Sequence, residues 1–114
     1  MSGSQQFRDE AMAQMQGAMS LSIAFIGISN GLFSSLAEMA QAGLEELSAK
    51  TGLDSGYLHR WCDAAFSFGL LDEINGKFTL TDRGRAFIPD SLGTAMPFAV
   101  QAMLAAHMAE RAAN

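Results

Sequence analysis

The fold is decided by residues 44–71, LEELSAKTGLDSGYLHRWCDAAFSFGLL, and by the segment DEINGKFTLTDRGRAF that follows at 72–87. Apolar residues at three- and four-residue spacing predict two short helices, separated by a turn at Thr51-Gly52-Leu53. Asp54 or Ser55 can cap the second helix by accepting a hydrogen bond from a free backbone N–H. Asn75-Gly76 then predicts a hairpin between 71–74 and 78–81, because a type I′ turn needs positive φ at both central residues.

Two helices joined by a tight turn and followed by a β-ribbon make a winged helix-turn-helix. The predicted fold class is mainly α: a winged helix-turn-helix with a small β-hairpin wing, plus long N- and C-terminal dimerisation helices. We expect a single domain over 1–114, because this length fills one domain and leaves no room for a second. Its expected parts are a disordered start at 1–4, a long helix at 5–29, the winged helix at 31–88 and a C-terminal helix at 91–111.

The helix predicted at 5–29 carries more apolar surface than one small domain can cover. Its first half has one apolar stripe, and its second half is apolar nearly all round. Such a helix must be covered on more than one side, and a second copy of the chain is the expected cover. The predicted homodimer interface consists of apolar residues from the two flanking helices: Phe7, Met12, Met15, Met19, Ile23, Ile26, Phe98, Met103 and Leu104.

The charge balance argues against DNA as the default partner. The chain has 7 Lys and Arg against 12 Asp and Glu, a net charge of -5. Because DNA affinity comes mainly from Lys and Arg that displace counterions, this surface disfavours nucleic acid. A ligand-responsive, DNA-binding transcriptional regulator remains the alternative. Its DNA contacts would come from the second helix, the wing and the helix after it: Ser55, His59, Arg60, Lys77 and Arg83.

No residue pattern in the chain indicates catalysis or a metal site. The single cysteine, Cys62, falls on the buried face beside Trp61, where a small apolar side chain is expected rather than a reactive thiolate. One cysteine and two histidines cannot supply an ordinary structural zinc site. No GxGxxG, P-loop, HExxH or GxSxG motif occurs. We therefore expect no catalytic residue, no metal and no cofactor in this chain.

The methionine content points to a candidate ligand, and the hydropathy pattern predicts a cellular location. The eight methionines suit either helix packing or an adaptable apolar pocket, so an apolar small molecule is a further candidate partner, held in a dimeric carrier. The uncharged stretch 11–37 has an apolar centre of about ten residues, shorter than a membrane span. Asp9 and Glu10 stand where a signal peptide is positively charged. The expected location is the cytoplasm, away from the membrane.

Three blocks of the sequence resemble the N-terminal winged-helix dimerisation domain of bacterial class I S-adenosylmethionine-dependent O-methyltransferases. They are NGLFSSLAEMA at 30–40, the helix-turn-helix at 44–71 and GKFTLTDRGRAF at 76–87. The family's "GLF..La" helix, "tGl" turn, "GLL" and "lT..Gr" ending are matched here by Gly31, Leu32, Phe33, Leu36, Ala37, Thr51, Gly52, Leu53, Gly69, Leu70, Leu71, Leu80, Thr81, Gly84 and Arg85. Gly56 and Cys62 depart from the family pattern, which has arginine and leucine there.

The resemblance covers about residues 20 to 90. It implies a non-catalytic homodimerisation and substrate-lid domain of a small-molecule methyltransferase. It also implies that S-adenosylmethionine would bind a catalytic Rossmann domain, which would follow the last helix and is not in this chain. Transcription factors of similar fold share the "tGl" turn and the "T..Gr" ending, which keeps the regulator open as the alternative.

Overall fold

The computed structural model describes residues 3–89 and 93–112. Over these residues the chain is mainly helical, as predicted, with one two-stranded antiparallel sheet. The elements are α1 (Gly3–Ser29), α2 (Leu32–Met39), α3 (Leu44–Thr51), α4 (Ser55–Ser67), β1 (Leu71–Ile74), β2 (Lys77–Leu80), α5 (Asp82–Arg85) and α6 (Met96–Ala112).

The two flanking helices differ slightly from their expected bounds. Helix α1 begins at Gly3, two residues before the predicted start, while residues 1 and 2 of the expected disordered segment lie outside the described residues. Residues 91 and 92, the predicted beginning of the last helix, also lie outside them. Residues 93–95 were also predicted to be helical but are not, since Gly93 has a φ of 71°. Helix α6 begins at Met96, which places Pro97 in the first turn, where its missing N–H has no helical partner to lose.

The core lies where α2, α3, α4 and the hairpin meet, and the second half of α1 packs across it. Phe33 and Trp61 meet edge to face, with ring centroids 5.6 Å apart. The Trp61 indole N–H donates to the backbone carbonyl of Ile23 at 3.0 Å, which ties α4 to α1. Gly27 makes the close approach possible, since a Cβ there would lie 2.5 Å from the Trp61 ring and 2.6 Å from the Phe33 ring.

The helix ends and the hairpin turn follow the local sequence signals. Gly52 ends α3 with a φ of 76°, and Asp54, rather than Ser55, caps α4 by accepting a hydrogen bond from the Tyr57 N–H at 3.0 Å. Asn75 and Gly76 have φ values of 54° and 77°. The hairpin that they were predicted to form is confirmed, with Leu71 opposite Leu80 and Ile74 opposite Lys77. Its second strand lies one residue earlier than predicted, because the two-residue turn leaves Lys77 directly opposite Ile74.

Thr81 joins three segments at the end of β2. Its hydroxyl accepts a hydrogen bond from the Gly84 N–H at 3.0 Å, which caps α5, and donates to the Gly69 carbonyl at 2.6 Å. A side chain at position 84 would collide with the Leu70 carbonyl, so only glycine fits. The "T..G" spacing therefore fixes α5 against the end of α4. A further contact, the antiparallel bridge between Ala42 and Phe78, has no counterpart in the predictions.

Candidate functional site

The first half of α1, residues 3–19, is exposed along its whole length and carries large apolar side chains. Phe7, Met12, Met15 and Met19 have 69%, 57%, 54% and 50% of their surface exposed. The three methionines are spaced by three and four residues, so they lie on one side of the helix. We call Met12, Met15 and Met19 the methionine stripe. It is an apolar strip that this chain, as a single copy, leaves in water.

Two other predicted interface residues, Ile23 and Ile26, continue the methionine stripe along α1. Both are partly buried, and both pack against the core of their own chain. Their side chains lie beside Trp61 and Ala64 of α4. The predicted interface thus includes an exposed part and a part that already stabilises the single copy.

Helix α6 packs against α1 and supplies the remaining predicted interface residues. Ala99 is fully buried, whereas Phe98 and Leu104 are 64% and 56% exposed. Met103 is partly buried. The start of α6 is anchored by the Ala95 N–H, which donates to the Ala86 carbonyl at 2.6 Å. Apolar surface is therefore exposed on both flanking helices.

A broad open cleft of about 740 Å³ separates the middle of α1 from the end of α4. Gln16, Ser20 and Ser67 give it a partly polar lining. Its one cationic lining residue, Arg83, donates from Nη1 to the Phe68 carbonyl at 3.3 Å. The cleft is wide and open, and its cation already has a partner in the same chain.

A smaller depression of about 180 Å³ lies between α1 and α4, which we call the Trp61 notch. It is apolar apart from two side chains at its edge. Its lining consists of Ile23, Ile26, Tyr57, Arg60, Trp61 and Ala64. The last four are spaced i, i+3, i+4 and i+7 along α4, a spacing that brings them to one helix face. Neither this grouping nor the notch was predicted, because Arg60 was expected on an outward face and Trp61 on the buried one.

The predicted DNA-contact residues are all exposed but lie on three elements: Ser55, His59 and Arg60 on α4, Lys77 on β2, and Arg83 on α5. No described hydrogen bond or ion pair joins any two of the five.

Three of these predicted contact residues have partners within the chain. His59 lies 3.5 Å from Asp63, and Arg83 is held by the Phe68 carbonyl. The Lys77 ammonium lies 3.0 Å from Glu46 of α3 and lowers the pKa of that carboxyl, with a further contribution from the Gly43 N–H. In the hairpin Lys77 lies opposite Ile74, so its ion pair is made with α3 and not with the neighbouring strand.

Cys62 is fully buried on α4, as predicted. Burial, reinforced by the charges of Asp63 and Glu73, raises the pKa of its thiol to about 12. A thiol in that state is a poor nucleophile at neutral pH. Within residues 3–89 and 93–112, no three His, Cys, Asp or Glu side chains are grouped in a way that could hold a metal ion.

By length and composition alone, α1 could cross a membrane, with a mean hydropathy of 1.3 over 18 residues. A core helix of a soluble protein passes the same test. Of that window 11% is buried inside the chain, and the buried residues of α1, Ala24 and Gly27, lie in its second half, where the Ile23 carbonyl accepts the Trp61 N–H.

The chain is similar to parts of three solved methyltransferase structures. N,N-8-amino-8-demethyl-D-riboflavin dimethyltransferase (RosA) from Streptomyces davawensis matches with a TM-score of 0.68 and 20% identity, over 87% of this chain and 28% of that one. The methyltransferase CalO6 matches with a TM-score of 0.66 and 23% identity, over 82% of this chain and 31% of that one. CalO1, a methyltransferase in calicheamicin biosynthesis in its SAH-bound form, matches with a TM-score of 0.52 and 28% identity, over 83% of this chain and 28% of that one.

No protein-family model and no characterised protein sequence matches the chain. At the identities found, the likeness to RosA and CalO6 shows a shared fold. The chain spans less than a third of the length of each of the three methyltransferases. Its fold corresponds to that of a part of each of these methyltransferases.

Proposed function

We propose that this chain is the non-catalytic homodimerisation and substrate-lid domain of a bacterial, cytoplasmic, small-molecule S-adenosylmethionine-dependent methyltransferase. In this proposal, residues 31–88 form a winged helix that acts as a spacer, and α1 and α6 are the dimerising arms. The observation that carries the proposal is the exposed methionine stripe on α1. The fold shared with part of three methyltransferases supports it.

The energetic argument for a dimer is the apolar surface that a single copy leaves in water. Full burial of one large apolar side chain is worth about 1.5–3 kcal/mol. Phe7, the methionine stripe, Phe98 and Leu104 are each at least half exposed, and they lie on two helices that pack against each other. Monomeric soluble proteins rarely expose large apolar surfaces, so these side chains favour a partner that covers the two helices. A second copy covers both helices by a self-complementary contact.

The stripe is tested by two double variants with the same added charge. Met15→Asp with Met19→Asp places two carboxylates in the predicted interface. Gln14→Asp with Ala18→Asp places them at the same spacing on exposed positions about 100° around the helix. Light scattering during gel filtration should give a dimer for the unaltered chain and for the control pair, and a monomer for the methionine pair.

Circular dichroism should show the same helical content in all three proteins, because none of the four positions is buried. A compact dimer formed by the methionine pair would refute the interface assignment. Loss of the dimer in both variants would instead indicate a general effect of charge on α1. Neither result depends on a ligand.

The lid role implies that methyl transfer takes place outside these 114 residues. We expect S-adenosylhomocysteine to show no binding heat with this chain alone. If the reading frame continues beyond Asn114 into a Gly-rich strand-turn-helix, the longer protein should bind it. Binding by the 114-residue chain would contradict the assignment, and a stop codon after Asn114 would favour the regulator.

A further inference from the structure

The Trp61 notch has a rigid apolar floor. Trp61 cannot turn freely, because its indole N–H donates to the Ile23 carbonyl at 3.0 Å and its ring meets Phe33 edge to face. Ile23, Ile26 and Ala64 complete the floor. The volume, about 180 Å³, is close to the cavity of about 150 Å³ that accepts benzene in another protein. The notch is therefore the size of one ring or a short branched chain.

The edge of the notch is polar and carries a positive charge. Arg60 is exposed, and its guanidinium makes no ion pair or hydrogen bond within the part of the chain that the structure describes. The nearest acidic residue in sequence, Asp63, lies 3.5 Å from His59. The Tyr57 hydroxyl accepts a hydrogen bond from the Asn30 amide at 3.5 Å, which leaves its own O–H as a donor.

A ring-sized apolar floor beside an arginine and a phenolic O–H complements one kind of ligand. Such a ligand has a small apolar body and one anionic oxygen group, because guanidinium N–H groups bind carboxylates by strong, charge-assisted hydrogen bonds. We propose that the Trp61 notch binds a small aromatic or branched aliphatic monocarboxylate. The apolar part lies against Trp61, and the carboxylate lies between Arg60 and Tyr57.

This site does not rest on the proposed methyltransferase role, since it needs neither a catalytic domain nor S-adenosylmethionine. It also differs from the carrier of an apolar molecule that methionine usage suggested, because the notch is open, small and positively charged at its edge. The larger cleft beside Arg83 is a weaker candidate, because that guanidinium already donates to the Phe68 carbonyl.

The fluorescence of Trp61 reports on the notch directly, because it is the only tryptophan in the chain. Phenylacetate is titrated into the 114-residue protein with excitation at the indole. Phenylacetamide, which has the same size and no charge, is titrated in parallel. We expect saturable quenching or a spectral shift with phenylacetate, and an affinity at least tenfold lower for phenylacetamide.

Three variants locate the site. Arg60→Gln should weaken phenylacetate binding at least tenfold, while Arg85→Gln, which removes a cation from an exposed position that does not line the notch, should leave it unchanged. Ala64→Leu should block binding by filling the floor. Equal affinity for phenylacetate and phenylacetamide, or binding unaffected by Arg60→Gln, would overturn the proposal.

The dimer and the ligand site are distinguished by protein concentration. If a second copy fills the notch, the Trp61 emission changes on dilution in the absence of phenylacetate, and phenylacetate produces no further change in the dimer. That outcome would also overturn the carboxylate site, yet it would leave the homodimer intact. Conversely, a monomer that binds phenylacetate would support the notch and count against the proposed dimerisation domain.

Discussion

At the scale of single residues, the packing of α1 on the domain depends on a position without a side chain. Gly27 lies where the backbone of α1 comes closest to the rings of Trp61 and Phe33, and a Cβ there would be 2.5 and 2.6 Å from them. Both rings are held by each other and by the core, so they have little room to move. Gly17, in the same helix, has no atom within 4 Å of the position its Cβ would take.

This contrast predicts opposite effects for the same substitution. Gly17→Ala should raise the free energy of unfolding by about 0.5–1 kcal/mol, because alanine favours a helix more than glycine does. Gly27→Ala gains the same helix preference but forces the two rings apart, and it should lower the free energy of unfolding by about 1–3 kcal/mol. Urea denaturation followed by circular dichroism measures both. Similar stability of the two variants would show that α1 does not pack as closely as described.

Local signals in the sequence identified some of these residues but not others. Asp54 and Ser55 can both cap a helix, and only the turn geometry decides between them, in favour of Asp54. The burial of Cys62 was predicted from helical spacing alone. The role of Gly27 was not predictable in this way, because a close approach depends on residues six and thirty-four positions further along the chain, Phe33 and Trp61.

At the scale of elements, α1 is one helix with two environments. Each of residues 3–19 is exposed, whereas residues 20–28 are buried or half-buried, and α1 as a whole packs against α2, α4 and α6. An isolated helix as short as residues 3–19 is only marginally stable in water, so its hydrogen bonds depend on packing against other parts of the protein or another copy. The two halves should therefore differ in local stability within one continuous helix.

Hydrogen exchange measures this difference. In dilute protein, amides at 7–18 should exchange much faster than those at 22–29, because the first half opens without disturbing the core. At concentrations where a dimer forms, exchange at 7–18 should slow down, while the second half serves as an internal reference. Protection of 7–18 that is independent of concentration would contradict an interface on this half of the helix.

Elements with strong local signals were predicted well. The helices at 44–51 and 55–67 and the Asn75-Gly76 hairpin follow from apolar spacing, caps and turn residues, and the helix at 32–39 is the one that the family resemblance implied. The bridge from Ala42 to Phe78 was missed, because it joins residues far apart in sequence and has no local pattern. The predicted interface residues were chosen by helical spacing, which identifies the apolar face of a helix. Spacing does not show which residues of that face already pack against the core of the same chain, as Ile23 and Ile26 do.

At the scale of the whole molecule, charge remains the main argument about nucleic acid. The net charge is -5, and three of the five candidate DNA contacts, His59, Lys77 and Arg83, have partners in their own chain. A protein binds a phosphate backbone through several free cations at once. Of the five candidate contacts, Arg60 is the one cation without a partner among the described residues, and acidic residues lie on the same elements.

We therefore expect no retardation of duplex DNA in a mobility-shift assay, even at about 50 mM salt, where phosphate contacts are strong. Two variants that each remove one positive charge provide the comparison. Arg60→Ala changes a predicted DNA contact, and Arg85→Ala changes an exposed arginine that is not among the predicted contacts. A shift that Arg60→Ala abolishes and Arg85→Ala preserves would establish the DNA-binding regulator instead. A shift weakened equally by both would indicate unspecific attraction.

The hydrogen bond between Trp61 and Ile23 has a consequence for how this scaffold can change over time. Because the acceptor is a backbone carbonyl, the bond makes no demand on the identity of the side chain at position 23. Substitutions along the exposed side of α1 can therefore change the surface of the helix while its angle to the domain is preserved. In the proposed dimer, mutations can thus alter the interface between the copies without changing how α1 packs on its own chain.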